Sequence, residues 1–420
     1  MVEPLTAALK QRDIHELTEI QRTAIPRLMS DRRTDFLLAS HTGSGKTLAY
    51  LLPLVEILKE TERAGVASRP KRPRVLVLAP TRELAEQITG VAKHLSHFAK
   101  YRASCLTGGR DFRQQRDRLQ EPVDVVIGTP QRVLQHAEES NLFFGDVDSL
   151  VLDEADTMLD RGFGPEVERV LAAVRGKPAP ARCVLVSATL TRAVRRLLAE
   201  HFPAAQPLET GSLHRGVARA EHRFVEVPPR GDKLDALLDL LRARRRDRRT
   251  MVFANTVPAC RAVAHHLEAA GLARTLCYHG DMPIAERKAS LTAFSEDGRV
   301  DVSGESSEFE LAAPPAAVLV CTDLAARGLD IPGTVDHVVN FDFPLNPVDY
   351  LHRSGRTARA GAAGRITSLI IKRDKVLAER IRASLDRGLP LDALSSDKKH
   401  KAEFETAGAD RGRPAGSGAA

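Results

Sequence analysis

Short apolar runs alternate with amphipathic stretches along most of the chain. "FLLAS" (Phe36–Ser40) precedes a helix-like stretch from Lys46, "RVLVLAP" (Arg74–Pro80) precedes "RELAEQITGVAKHL", and "VDVVIGTP" (Val123–Pro130) precedes "QRVLQHAEE". "SLVLDEAD" and "RCVLVSAT" complete a first set. Unbroken apolar runs between amphipathic helices predict parallel strands covered by helices on both faces. A second set starts at "TMVFANT" (Thr250–Thr256) and continues through "TLCYHG", "AAVLVCT", "HVVNFDFP" and "RITSLIIK". Together they predict an α/β chain of two tandem parallel-sheet domains, the first over 1–206 and the second over 224–390. The polar stretch 207–223 reads as a flexible linker, and 391–420 as a disordered tail. Thr61–Pro73 reads as a loop, and the acidic, Ser/Gly-rich 295–315 as an insertion between a helix and a strand.

The length of 420 residues supports the two-domain reading. A formal net charge of +7 suits a nucleic-acid partner without singling one out. The five cysteines are scattered and form no C-x-x-C pair, which points to reduced thiols in an intracellular compartment and away from a zinc site or a disulfide frame. No apolar run approaches the length of a membrane span, and Met1 leads directly into an amphipathic stretch without a secretory core. Aromatic residues make up 4% of the chain, with no Trp, so base-stacking platforms are not its main grip on a nucleic acid.

Two motifs carry chemistry by themselves. "SHTGSGKT" follows a strand and opens a helix. Its Thr42, Gly43, Ser44 and Gly45 form a loop whose backbone N–H groups can converge on phosphate, Lys46 supplies a point charge, and Thr47 offers a hydroxyl to Mg²⁺. Ser40 stands where the strict phosphate-loop pattern has glycine. The second motif is "SLVLDEADTMLD", a buried strand that turns abruptly acidic. Its carboxylates repel unless solvent or a cation offsets their charge. Asp153 then holds Mg²⁺, Glu154 orients or deprotonates the attacking water, and Asp156 serves as an electrostatic strut. This reading expects the acidic strand to lie directly beside the phosphate-loop strand.

With "DEAD" in that context, the chain resembles the DEAD-box RNA helicases, from about Leu5 to Arg387. The resemblance implies two RecA-like domains, with ATP and Mg²⁺ as cofactors and RNA as the partner. "LTEIQ" resembles the adenine-reading Q motif, with Gln21 on the adenine edge, although Leu17 replaces the usual proline. "PTRELAEQ", "TGGR" and "TPQR" resemble RNA-contacting loops, which assigns RNA contacts to Pro80, Thr81, Arg82, Gly109, Thr129 and Arg132. Gln131 stands where glycine is usual. "CTDLAARGLDIP" implies Thr322 and Asp323 on the RNA side and Asp330 toward the ribose. "HRSGRTARAG" implies Arg356 and Arg359 as arginine fingers on the γ-phosphate, and His352 bridging toward Glu154 and the water. The hydroxyls of "SAT" (Ser187–Thr189) fit either a bond to Asp156 or an ordinary helix cap. "RARRRDRR" (Arg242–Arg249) fits either a solvated helix end or an auxiliary RNA patch.

The resemblance implies an RNA-stimulated ATPase that closes two domains on ATP and RNA and opens short duplexes or remodels ribonucleoprotein. A non-enzymatic nucleotide-gated clamp and a DNA helicase of the same superfamily are the alternatives. The Ala- and Arg-rich composition, the "SHTGSGKTLAYLLP" run and the "GRTAR" variant resemble those of organellar family members of plants and algae, a resemblance that implies plastid or mitochondrion and a role in ribosome assembly on ribosomal RNA; cytoplasm or nucleolus is the alternative. A monomer free of any membrane is expected.

Overall fold

The structure is a computed structural model that describes residues 3–41, 43–160, 162–210, 220–243, 249–272, 275–296, 317–323, 335–358, 363–389 and 391. The first sheet holds β1 (Phe36–Ala39), β2 (Val75–Leu78), β3 (Ala103–Leu106), β4 (Val125–Gly128), β5 (Ser149–Asp153), β6 (Arg182–Ser187) and β7 (Gln206–Glu209). Its order is β3-β4-β2-β5-β6-β1-β7, with every pairing parallel. Around it pack α1 (Glu3–Gln11), α2 (Glu19–Ser30), α3 (Lys46–Arg63), α4 (Arg82–Ala99), α5 (Phe112–Leu119), α6 (Pro130–Glu138), α7 (Ala155–Asp160), α8 (Gly164–Arg175) and α9 (Arg192–His201). The second sheet holds β8 (Ala220–Glu226), β9 (Arg249–Ala254), β10 (Thr275–Tyr278), β11 (Ala317–Thr322), β12 (His337–Asn340) and β13 (Gly364–Ile370). Its order is β10-β11-β9-β12-β13-β8, again all parallel. Its helices are α10 (Lys233–Arg242), α11 (Val257–Ala269), α12 (Ile284–Glu296), α13 (Pro347–Ser354) and α14 (Lys375–Asp386).

Each sheet has one apolar cluster on each face, as an all-parallel sheet requires. Alternate residues of β1 divide between the two: Phe36 and Leu38 join one cluster, Leu37 and Ala39 the other. Four-residue strands suffice because helices seal both sides.

Several expectations need correction. The acidic strand β5 does not lie beside β1, because β6 is inserted between them and pairs with both. The first domain runs past 206: β7 pairs with β1, and the Thr210 hydroxyl donates to Ser40 Oγ at 2.9 Å. β8 pairs with β13, so the second domain starts at Ala220 and the connection between the sheets shrinks to 211–219, outside the described residues. Residues 61–73 are pinned rather than loose. The last turn of α3 covers 61–63, Lys71 N donates to Leu119 O, and Arg69 pairs with Asp146. Arg249 is a core residue whose guanidinium lies over the Phe294 ring at 4.6 Å, while 244–248 fall outside the described residues. Leu391, placed in the tail by sequence, is buried in the second core; 392–420 and the insertion at 297–316 lie outside the described residues.

Candidate functional site

The phosphate loop joins β1 to α3 at the carboxyl end of the first sheet. Gly43 and Gly45 both take positive φ, +76° and +86°. Gly45 is also crowded: a Cβ there would come within 2.4 Å of Gln21 Nε2. That atom donates to Gly45 O at 3.0 Å, and Gln21 Oε1 accepts from Thr18 N at 3.0 Å. The structure therefore ties Gln21 to the loop, with one N–H and one lone pair left for another partner. Lys46 Nζ turns into the loop, donating to Ser40 O (2.6 Å) and His41 O (2.8 Å). Burial lowers its proton affinity, and the charges of Asp153, Asp156 and Glu154 oppose that.

Tyr50, one helical turn beyond Lys46, spans to the acidic strand, and its hydroxyl donates to Asp153 Oδ2 at 2.8 Å. Burial and the neighbouring Glu154 charge push the Asp153 carboxyl up to about 6, against the Tyr50 bond and the Lys46 charge. Glu154 has φ of +51°, the left-handed region for a non-glycine residue, and its Oε2 is buried without a hydrogen-bond partner. Asp156 is fully buried, and its Oδ2 accepts from Thr189 Oγ1 (2.7 Å) and Thr189 N (3.0 Å). Burial works against its ionisation, but His352, Thr189 and Ser187 outweigh burial and hold the carboxyl well below the usual range. Of the two readings of "SAT", the structure makes the bond to Asp156.

Thr47, Asp153 and Glu154 offer only hydroxyl and carboxylate oxygens, the donors a hard divalent cation takes. The orphaned Glu154 oxygen and the raised Asp153 fit such a cation, which would offset their repulsion. Among the described residues no group of three or more His, Cys, Asp or Glu side chains is arranged to hold a metal. A cation here would complete its shell with phosphate and water.

The second domain reaches this site through α13. His352 Nε2 stands 3.6 Å from Asp156 Oδ2. This corrects the expectation that His352 bridges to Glu154: it faces the strut. Arg356 is buried, and its charge is felt at Lys46. Arg353 locks the surrounding loops. It grips Asp323 with two bonds (2.7 and 2.6 Å) and also donates to Asn255 Oδ1 (2.6 Å) and Asp342 O (2.6 Å). Both Asp323 oxygens thus accept from Arg353, and Thr322 is buried beside it. Thr42, Asp330 and Arg359 lie outside the described residues.

The first-domain loops assigned to RNA follow β2, β3 and β4 at the carboxyl end of the sheet. Thr81 is buried and caps α4 through a bond from Leu84 N, with Pro80 buried before it. Arg82 bonds Glu86 at 3.1 Å, and Arg110 shares the same oxygen at 2.8 Å. Gly109 has φ of +69°, and a Cβ there would meet Arg82 Nη1 at 2.5 Å. Thr129 sits at the N-cap of α6, and the Arg132 guanidinium lies over the Phe112 ring at 5.2 Å. Arg82, Arg110, Arg118 and, from α12, Lys288 line a recess of about 340 Å³. Beside it Arg287 of α12 pairs with Glu83 of α4 at 2.5 Å, bridging the domains. Sequence reasoning missed Tyr50, Glu83 and Arg287. The first two are one helical turn from Lys46 and one residue from Arg82, but Arg287 carries no local signal.

Residues 18–197 match the family model for the DEAD/DEAH box helicase, and 232–361 the helicase conserved C-terminal domain. The chain is 45% identical over 402 residues to a protein of Arabidopsis thaliana named DEAD-box ATP-dependent RNA helicase 39, covering 94% of this chain and 62% of that relative. It is 34% identical to the ATP-dependent RNA helicase RhlB of Pectobacterium atrosepticum, covering 93% and 85%. Among solved structures, Saccharomyces cerevisiae Dbp5 bound to RNA and ADP BeF3 aligns at TM-score 0.74 and 26% identity over 97% of both chains. The DEAD-box helicase Mss116 bound to ssRNA and UDP-BeF aligns at TM-score 0.78 and 25% identity, covering 97% and 81%.

Proposed function

The chain belongs to the DEAD-box family of ATP-dependent RNA helicases, and from that premise we propose that it hydrolyses ATP to ADP and phosphate when RNA closes its two domains, opening short duplexes or remodelling ribonucleoprotein during ribosomal RNA processing. The observation that carries this reading is a site built from both domains. Asp156 and Lys46 come from the first, and His352 and Arg356 reach them from the second. Neither domain holds a full set, so turnover depends on closure. Arginine fingers are worth about 10³ to 10⁵ in rate.

Lys46 and the loop N–H groups bind the phosphates, with Gly45 held open by its contact to Gln21. Mg²⁺, held by Thr47 and Asp153, would neutralise charge on the phosphates. Glu154 takes the proton of the attacking water at Oε2. Arg356 faces the charge that develops on the transferred phosphoryl group. RNA lies along the basic face, gripped by phosphate contacts that carry no sequence information. One chain supplies both halves of the site, so a monomer suffices. The place of action is proposed to be the plastid or mitochondrion, a reading that rests on the Ala- and Arg-rich sequence and the "GRTAR" variant.

Single-stranded RNA is expected to stimulate ATP hydrolysis well above DNA of equal length. Hydrolysis that stays at its basal rate under saturating RNA would mean a nucleotide-gated clamp instead. Crosslinking in cells should recover ribosomal RNA in an organelle fraction; recovery of messenger RNA alone would remove the ribosomal assignment.

A further inference from the structure

Two of the five cysteines meet outside the nucleotide site. Cys260, in the first turn of α11, has its Sγ 3.6 Å from the Sγ of Cys277 on β10. Cys260 is fully buried and also bonds Val320 O at 3.4 Å, whereas Cys277 is partly open to solvent. From this geometry we propose that Cys260 and Cys277 form a reversible disulfide that tunes the RNA response of the second domain.

The pair has the asymmetry such a reaction needs. The contact with Cys260 Sγ and the nearby Arg261 charge favour the thiolate on Cys277. Burial pushes Cys105, Cys183 and Cys321 the other way. The accessible sulfur is thus the nucleophile and the buried one the resolving thiol. The oxidant is a hydroperoxide. Cys277 Sγ attacks a peroxide oxygen, the S–O bond forms, the O–O bond breaks, and the leaving oxygen departs protonated as water or alcohol. Cys260 Sγ then attacks the sulfenic sulfur, the S–S bond forms, and the hydroxyl leaves with the Cys260 proton as water. Two thiols lose two electrons and one peroxide gains them. A dithiol reverses the bond by exchange.

The position of the pair connects it to RNA. Bonding draws the sulfurs from 3.6 Å to about 2.05 Å, pulling the first turn of α11 toward β10. That turn begins at Thr256, next to Asn255, whose carboxamide is gripped by Arg353. Cys277 precedes Tyr278, which lines the cleft with Arg287 and Lys288 facing the first domain. Movement at either end disturbs the RNA-facing loops of this domain and leaves the phosphate loop in place.

The test treats the full chain with hydrogen peroxide, alkylates free thiols and maps peptides by mass spectrometry, then titrates RNA in an ATPase assay. The expected result is a Cys260–Cys277 link, a rise of about fivefold or more in the RNA needed for half-maximal turnover, and recovery with dithiothreitol. Cys260→Ser and Cys277→Ser should each keep normal activity and lose the sensitivity. Peroxide that leaves Cys277 singly oxidised or alkylated overturns the pairing. A link that leaves RNA dependence unchanged, or sensitivity that survives in both serine variants, overturns the control. Peptide mapping needs no turnover, so failure of the disulfide is distinguishable from failure of the helicase reading on which the control rests.

Discussion

Glu154 carries two costs at once. A buried oxygen without a partner forfeits about 1–3 kcal/mol, and a left-handed backbone at a non-glycine residue costs a similar ~1–3 kcal/mol; both meet at this residue. Such a placement persists where the surroundings enforce it, and here the carboxylate is near enough for its charge to be felt at Lys46. Glu154→Gln keeps the shape and removes the base. It should bind ATP within a few-fold of the parent, lose about 10²-fold or more in turnover, and accumulate the closed complex with RNA. Equilibrium binding and single-turnover assays check this, and loss of ATP affinity would remove Glu154 from the base role. Arg356 acts from the other side. Arg356→Ala should leave ATP binding measurable and lower turnover by about 10³-fold; a variant that turns over normally has no finger at this position. Residues whose chemistry is local, such as Lys46 and Asp153, are legible in the sequence because their motif is contiguous. The partners of His352 and Asp323, namely Asp156 and Arg353, are not legible there because they lie far off in the chain.

Among the elements, the strands that apolar patterning reveals are chiefly those buried on both faces. β3, β7 and β8 escape it, and each is an edge strand. Half-buried positions of β8 alternate with exposed ones, and three of the four β7 residues are exposed, so neither shows a continuous run. That is why the linker reads too long. The order of the strands is equally hidden, because β6 enters between β1 and β5 by a long-range choice no local window contains. Helix α6 carries a stability consequence of its own. His136 is buried, stacks on Phe112 at 4.1 Å, and has both ring nitrogens without a partner. Burial and the Arg132 charge pull it down to about 4 from its ordinary 6.5. The unfolded chain therefore binds this proton more readily. Stability is full above 6.5 and falls as pH drops toward 4, by at most ~1.4 kcal/mol per unit. Urea unfolding at pH 7.5 and 5.0 should show that loss in the parent, and His136→Phe should show less of it. Equal losses in both chains would put the acid sensitivity elsewhere.

For the whole molecule, function depends on how tightly two lobes meet. In the proposed mechanism ATP and RNA each touch both, so each strengthens the binding of the other. Contacts that join the lobes without touching either ligand should then set the coupling. The Glu83–Arg287 pair joins the lobes directly, with side chains 21% and 15% exposed, so solvent screens it less than a surface bridge. Glu86 and Arg82 stand beside it but bond within the first domain. Breaking the pair on one side leaves a mostly buried charge facing nothing, and reversing it leaves two like charges face to face. Glu83→Arg and Arg287→Glu should therefore each raise the RNA needed for half-maximal turnover by about fivefold or more while ATP affinity of the RNA-free chain stays unchanged. The double reversal restores opposite charges, now exchanged between lobes. It should recover most of the loss, because residues in direct contact do not act additively. An RNA titration of the four proteins at one salt concentration reads this directly. If the double variant loses as much as the two single losses combined, these side chains do not couple the lobes, and closure must draw its energy from the ligands alone.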